Sequence, residues 1–219
     1  MNIMVVGGGG REHAIIKKLK ENPQVEKIYA LPGNGGMASD AVCVGIGAKD
    51  LDAIAAFAAD PANAVSYAVV APDDPLVLGC VDRLEAVGIP CFGPRQNAAI
   101  IEGSKVFSKE LMKKYGIPTA QYENFDDPEK ALAYLETCEM PIVLKADGLA
   151  LGKGVLICST LEEAKEGVRT IMEEKKFGDA GNTMVIEEFV TGREVSVLTF
   201  VDGKTIRIMS SAQDHKRAK

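Results

Sequence analysis

The sequence predicts an α/β fold: a doubly wound parallel sheet in the N-terminal part, followed by an α+β domain. Three observations predict it. Through the first hundred residues, short apolar runs alternate with segments whose apolar residues recur at helical spacing, as βαβ units do. The run SYAVVA at 66–71 is continuous and β-rich, as expected for a parallel strand buried on both faces. Beyond residues 100–120 the texture changes to short strands with a hairpin turn, which signals antiparallel pairing.

Residues 2–6 form an apolar strand closed by GGGG at 7–10, after which Ala14, Ile15 and Leu19 recur at helical spacing among Lys17, Lys18 and Lys20. Residues 25–31 read as the next strand and PGNGG at 32–36 as a wide turn. Asp50 can cap a helix carrying Leu51, Ile54, Ala55 and Ala58 on one face. The strand at 66–71 leads to one helix over 76–86, stopped at Gly88-Ile89-Pro90, and then to a short strand at Cys91-Phe92. A helix over 104–115 ends at a second Gly-Ile-Pro, 116–118, where a C-cap glycine precedes proline.

In the second part, strands at 121–125 and 141–145 flank a helix opened by Asp127-Pro128. A strand at 155–158 precedes a helix opened by the capping box Thr160-Leu161-Glu162-Glu163, with Leu161, Ala164, Val168 and Ile171 inward. Residues 184–188, 194–201 and 205–209 read as successive antiparallel strands, with Asp202-Gly203 as a hairpin turn.

Composition narrows the function classes. Lys+Arg at 25 against Asp+Glu at 31 gives a net charge of −6, against a general nucleic-acid binder, which needs positive charge to displace counterions. The five cysteines, Cys43, Cys80, Cys91, Cys138 and Cys158, are odd in number, far apart and without a C-x-x-C pair, so neither a disulfide framework nor a zinc ribbon is expected. Met1 leads straight into a strand pattern, and no apolar run approaches the roughly 18 residues of a membrane span, so a cytoplasmic protein is expected.

Three loops have the composition for chemistry. GGGG at 7–10 lies between strand and helix, where backbone N–H groups and the positive helix end suit an anion. It does not complete G-x-G-x-x-G, because Glu12 and His13 occupy the third glycine's positions, and no acidic residue follows the second strand to hold a ribose. KADGLALGKGV at 145–155 runs from strand to strand, a glycine-bearing hairpin with Lys153 at its tip that can close over a polyphosphate. Taken alone, Lys145 would also read as an edge-strand lysine and Lys153 as an exposed tip. In IEEFVTGREVSV at 186–197, an apolar connection flanked by carboxylates suits an adenine and its ribose, although a charged hairpin edge is the plainer reading of that string.

Taken in order, GGGGREHA at 7–14, PGNGG at 32–36, GPRQNAAIIEGSKVFSK at 93–109, KADGLALGKGV at 145–155, EEFVTGREVSV at 187–197 and QDHKR at 213–217 carry a family resemblance. Over its whole length the chain resembles the N-terminal half of the phosphoribosylamine–glycine ligases (glycinamide ribonucleotide synthetases) of the ATP-grasp superfamily. The resemblance implies an N-terminal α/β substrate domain over 1–103, of the kind that precedes an ATP-grasp domain. It implies an incomplete ATP-grasp domain over 104–219, with a lid subdomain at about 120–190. The implied reaction joins glycine to 5-phosphoribosylamine through glycyl phosphate, with ATP going to ADP and phosphate, in purine biosynthesis. No protein nucleophile is needed, so catalysis would be positioning and charge neutralisation.

By the match, Lys105 and Lys145 would neutralise ATP phosphates. Asp147, Gly148, Ala150, Gly152, Lys153 and Gly154 would belong to a mobile lid loop over them. Glu187, Phe189 and Val190 would border the adenine and Glu194 would hold the ribose. Gly8, Gly9, Gly10, Asn34, Gly35, Pro72 and Asp73 would face phosphoribosylamine, Asp73 standing where the family has the longer glutamate. Asp214, His215 and Lys216 would lie near the reacting groups, although a solvated loop would account for His215 equally well. The family's Mg²⁺ ligands are expected beyond Lys219, so the chain as given is expected to bind nucleotide without turning it over. The expected partners are small molecules (ATP, glycine and 5-phosphoribosylamine), not nucleic acid, membrane or an obligate protein. The readings from other classes are a Rossmann-type oxidoreductase resting on residues 7–10 and a non-catalytic nucleotide-binding module. A different ATP-grasp carboxylate–amine ligase is the nearest alternative of the same class.

Overall fold

The structure, a computed structural model, describes residues 1–149 and 154–213, and the chain divides after Glu188 into two units. In the first unit, β1 (Asn2–Gly7), β2 (Lys27–Pro32), β3 (Val42–Cys43), β4 (Val65–Val70) and β5 (Cys91–Phe92) form a parallel sheet in the order β3-β2-β1-β4-β5. The connecting helices are α1 (Gly10–Lys20), α2 (Leu51–Ala59), α3 (Asp73–Val77) and α4 (Cys80–Ala86). Successive side chains of a strand point to opposite faces. Accordingly Met4, Val6, Leu31 and Val70 pack with Ile54 of α2 and Leu84 of α4. On the other side Ile3, Val5, Ala30 and Val69 pack with Ile16 of α1. With helices on both faces, each strand position favours an apolar residue, which is why these runs show no alternation.

Helices α5 (Gln96–Gly103) and α6 (Lys105–Tyr115) lead to an antiparallel sheet of β6 (Tyr122–Phe125), β7 (Ile142–Ala146), β8 (Val155–Cys158) and β9 (Met184–Glu188), in the order β6-β9-β7-β8. Two helices close one face, and on the other Val143 and Val185 are buried as well. Leu144, Ala146, Met184 and Ile186 meet Ala131 and Leu135 of α7 (Pro128–Leu135) and Ala164 and Val168 of α8 (Leu161–Val168), with Ile171 just beyond α8. Each large apolar side chain fully buried there contributes about 1.5–3 kcal/mol. The predicted caps are in place. Asp50 accepts from Ala53 N–H at 3.1 Å, Asp127 from Glu129 N–H at 2.9 Å and Thr160 from Glu163 N–H at 3.2 Å.

Several boundaries differ from the sequence expectation. The single helix over 76–86 is two helices, because Gly79 at φ +91 breaks the ladder and α3 starts earlier, after Pro72. Helix α5 and the two-residue β3 have too weak a periodicity to be read in advance. Strand β7 is internal, between β9 and β8, so Lys145 is not on an edge strand. In the second unit, β10 (Thr199–Val201) pairs with β11 (Ile206–Ile208), and Asp202 Oδ1 accepts from Lys204 and Thr205 N–H, holding the predicted turn. The expected strand over 194–201 is shorter than predicted, reduced to β10 and an isolated bridge from Ser196 to Ala212. Both neighbours of β9 come from its own sheet, β6 and β7, so it is not the first of three successive strands.

Candidate functional site

On the face of the antiparallel sheet away from α7 and α8 lies a cleft of about 390 Å³. The two-residue period of β7 and β9 puts Lys145 and Glu187 on that face, opposite to Leu144 and Ile186. Val143 is opposite Glu187 and Lys145 opposite Val185, so the two charged residues are diagonal neighbours, within reach of long side chains. Lys145 pairs with Glu187 Oε1, and Lys109 of α6 stands 2.5 Å from Oε2. Lys105 and Lys109 are four apart and therefore share one face of α6. Both line the cleft with Lys145, Gly148 and Gly154, and Asp73 of α3 lines it too.

The start of α6 is tied to the loop after β7. Asp147 accepts from Ser104 Oγ and from Val106 N–H, each at 3.1 Å, while Ser104 caps the helix by accepting from Phe107 N–H at 3.0 Å. A carboxylate there also meets the positive helix end. Lys105 Nζ donates to Gly148 O at 2.7 Å. Burial pushes the Lys105 ammonium below the ordinary lysine value; the Asp147 carboxylate opposes this and the neighbouring Lys145 adds to it. The lining thus presents the Lys105 and Lys145 ammonium groups toward an open volume, while the Lys109 ammonium is buried against Glu187.

The glycine loops assemble a second surface. Asn34 Nδ2 donates to Gly8 O at 2.8 Å, and Gly33 N–H donates to Gly7 O at 3.2 Å, joining PGNGG to the first loop. A Cβ on Gly8 would stand 2.7 Å from Gly33 O, a backbone atom that cannot swing aside, while the space around Gly10 and Gly35 is open. Pro72 packs onto Gly7, since a Cβ there would meet its Cγ at 2.9 Å, and Asp73 follows it into the cleft. Gly8, Asn34, Pro72 and Asp73 are therefore one connected group. One expectation is corrected in detail: Gly9 N–H is taken by Glu12 Oε2 at 2.6 Å, so it is engaged within the protein and not held out for an anion.

Sequence reasoning missed three residues. Glu12 and Lys109 are buried and charged, with Lys109 legible only as the lysine one turn past Lys105 in GSKVFSK. Asp40 gathers Lys20, His13 and Lys17 of α1 at 3.0, 3.2 and 3.1 Å, and these contacts hold its carboxyl well below the usual carboxylate range. Of the predicted site residues, Phe189, Val190 and Glu194 lie in the second unit, where all three are exposed. Ala150, Gly152, Lys153, Asp214, His215 and Lys216 lie outside the described residues.

Two family models cover the chain end to end. Residues 1–102 match the N domain of phosphoribosylglycinamide synthetase, and residues 103–219 match its ATP-grasp (A) domain. The chain belongs to the phosphoribosylglycinamide synthetase family. Among similar proteins are the phosphoribosylamine–glycine ligases of Vibrio cholerae, 47% identical over 219 residues (99% of this chain, 51% of that protein), and of Streptococcus suis, 48% identical (100% and 52%). The chain thus spans about half the length of the curated relatives it matches. The crystal structure of the Thermotoga maritima phosphoribosylamine–glycine ligase superposes with a TM-score of 0.83 at 30% identity, covering 99% of this chain and 51% of that one. An N5-carboxyaminoimidazole ribonucleotide synthetase from Thermus thermophilus shares the fold at a TM-score of 0.70 and 23% identity, covering 99% and 55%. In this synthetase family member, the seam between the two matched domains falls between Glu102 and Gly103, at the end of α5 and just ahead of the Ser104 cap.

Proposed function

We propose that the chain supplies the nucleotide and ribosylamine sites of a cytoplasmic ATP-dependent ligase that joins glycine to 5-phosphoribosylamine. The products would be glycinamide ribonucleotide, ADP and phosphate, in de novo purine biosynthesis. The observation that carries this reading is that Lys105 and Lys145 share one cleft with Asp73, the end of the connected glycine-loop surface. An ATP-phosphate site and a ribosylamine site set that close would let an activated carboxylate pass to the amine without release.

In this reading Lys105 and Lys145 hold ATP phosphates by charge-assisted hydrogen bonds. Asp147, Gly148 and Gly154 serve the same phosphates, a role that the family resemblance also gives to Ala150, Gly152 and Lys153, outside the described residues. Glu187, Phe189, Val190 and Glu194 serve the adenosine. Gly8, Gly10, Asn34, Gly35, Pro72 and Asp73 serve the ribosylamine phosphate and amine, with Gly9 shaping the loop. Asp214, His215 and Lys216, outside the described residues, are assigned to the reacting groups by the family resemblance alone. A glycine carboxylate oxygen attacks the γ-phosphorus and ADP leaves; the ribosylamine nitrogen then attacks the acyl carbon, phosphate leaves, and the amine gives up a proton. The chain's contribution is to orient the anions and lower their mutual repulsion. The family also implies Mg²⁺. Asp147 is engaged by Ser104 and Val106 and Glu187 by two lysines, and among the described residues no three His, Cys, Asp or Glu side chains converge, so the described carboxylates do not suit that ion and we assign it no step.

Isothermal titration tests the reading with two ligands, ATP and glycinamide ribonucleotide. Separate, saturable binding of each is expected, with ATP displaced by ADP; a chain that binds neither nucleotide contradicts the assignment.

A further inference from the structure

Two of the charged residues buried among the described residues, Lys109 and Glu187, face each other. Their carboxylate has a second ammonium, Lys145, and the two lysines hold it differently. Lys109 is anchored: its side chain is 10% exposed, and its Nζ also donates to Thr119 Oγ1 at 2.8 Å and Ala120 O at 3.3 Å, 5.2 Å from the Tyr122 ring centroid. Lys145 is 27% exposed, lines the cleft and lies next to Lys105. A polyanion entering the cleft can therefore compete for Lys145 but not for Lys109. If Glu187 had Lys145 alone, that competition would strand a buried carboxylate without a partner, which is strongly unfavourable unless the carboxylate takes up a proton.

We propose that Lys109 is a positioning residue whose anchored ammonium keeps Glu187 paired while nucleotide phosphates draw Lys145 away from it. Lys145 then moves from one anion to another without a proton changing hands, and Glu187 remains as the fixed post to which Lys145 returns when the nucleotide leaves. The inference rests on the nucleotide reading of the cleft. The charged and titratable groups that surround Glu187 are Lys109 of α6, Lys145 of β7 with Lys105 behind it, and Tyr122 of β6, itself bonded to Glu110. Of these, only the two lysines are placed to exchange the carboxylate.

The experiment is titration of ATP into the 219-residue chain by calorimetry in buffers of different ionisation enthalpy, which counts protons taken up on binding. ATP's own protons are common to every variant, so the difference from wild type is the readout. Lys109→Met is expected to weaken ATP roughly tenfold and to take up close to one extra proton per ATP. The pair Lys109→Met with Glu187→Gln is expected to lose that extra proton, and Lys109→Arg to behave as wild type. A Lys109→Met chain that binds ATP with the wild-type proton count overturns the inference and leaves the nucleotide reading standing. A wild-type chain that does not bind ATP overturns both. If Lys109→Met does not fold, Thr119→Val decides, since it keeps the charge but removes one tether. A smaller shift in the same direction is expected from it, and no change in affinity or proton count would be decisive against the proposal.

Discussion

Asp147 accepts a hydrogen bond from the hydroxyl of Ser104, fastening the loop that leaves β7 to the first turn of α6. Through it the two lysines assigned to phosphates, one on the helix and one on the strand, are held at a fixed separation.

Asp147→Ala should therefore loosen both. Losing a helix-start acceptor costs about 0.5–2 kcal/mol of stability. ATP affinity should fall by more than this stability loss accounts for, because Lys105 and Lys145 are no longer tied together. Urea unfolding and ATP titration on the same variant check the two effects, and an unchanged affinity in a destabilised protein would show that the tether is structural only.

Lys145→Ala should weaken ATP by about 1.5–3 kcal/mol, the range of a charge-assisted contact, or roughly tenfold and more in affinity. Adenosine, which has no phosphates, should bind both proteins alike. Equal ATP affinity in the two proteins would remove Lys145 from the phosphate site.

A pH dependence follows from Lys105. Burial lowers its pKa in the free protein below the ordinary 10.5, and phosphates beside it favour the charged form. The bound state therefore keeps the proton to higher pH than the free state. Affinity is full below the free-state pKa and declines as pH rises through it toward 10.5. Lys105→Arg, always charged, should flatten that decline. Calorimetric titrations from pH 7 upward give the comparison, and parallel profiles for the two proteins would exclude Lys105 as the source.

Gly8→Ala should act on the other ligand. Its Cβ would press on Gly33 O at 2.7 Å, and relieving that overpacking costs about 1–3 kcal/mol. Glycinamide ribonucleotide binding should be lost or sharply weakened while ATP binding holds, and a titration in which both fall equally would mean that the two surfaces are not separable.

How much of this was legible beforehand depended on whether the cause was local. The caps at Asp50, Asp127 and Thr160 depend on neighbouring residues, and each was readable from the sequence. The doubly wound sheet was readable because strands covered on both faces must be apolar throughout. The break at Gly79 was not, since a glycine within a helical pattern is tolerated unless its backbone adopts the left-handed region, as Gly79 does at φ +91. Lys109 was invisible for a different reason: on a helix with a polar face a lysine reads as solvated, and only the distant Glu187 and Thr119 make it an interior residue. Asp40 is similar, an ordinary loop aspartate until α1 brings two lysines and a histidine to it.

The alternation along β7 has an evolutionary consequence. Leu144 belongs to the helix-covered core and Lys145 to the cleft, and every residue of the strand is committed to one side or the other. A single-codon deletion ahead of them would slip the frame by one side chain, driving an ammonium among Ala131, Ala164 and Ile186 and presenting a leucine to the incoming nucleotide. Divergence in this strand is therefore open to exchanges of one residue for another but closed to changes of length, which must be absorbed in the connections at either end.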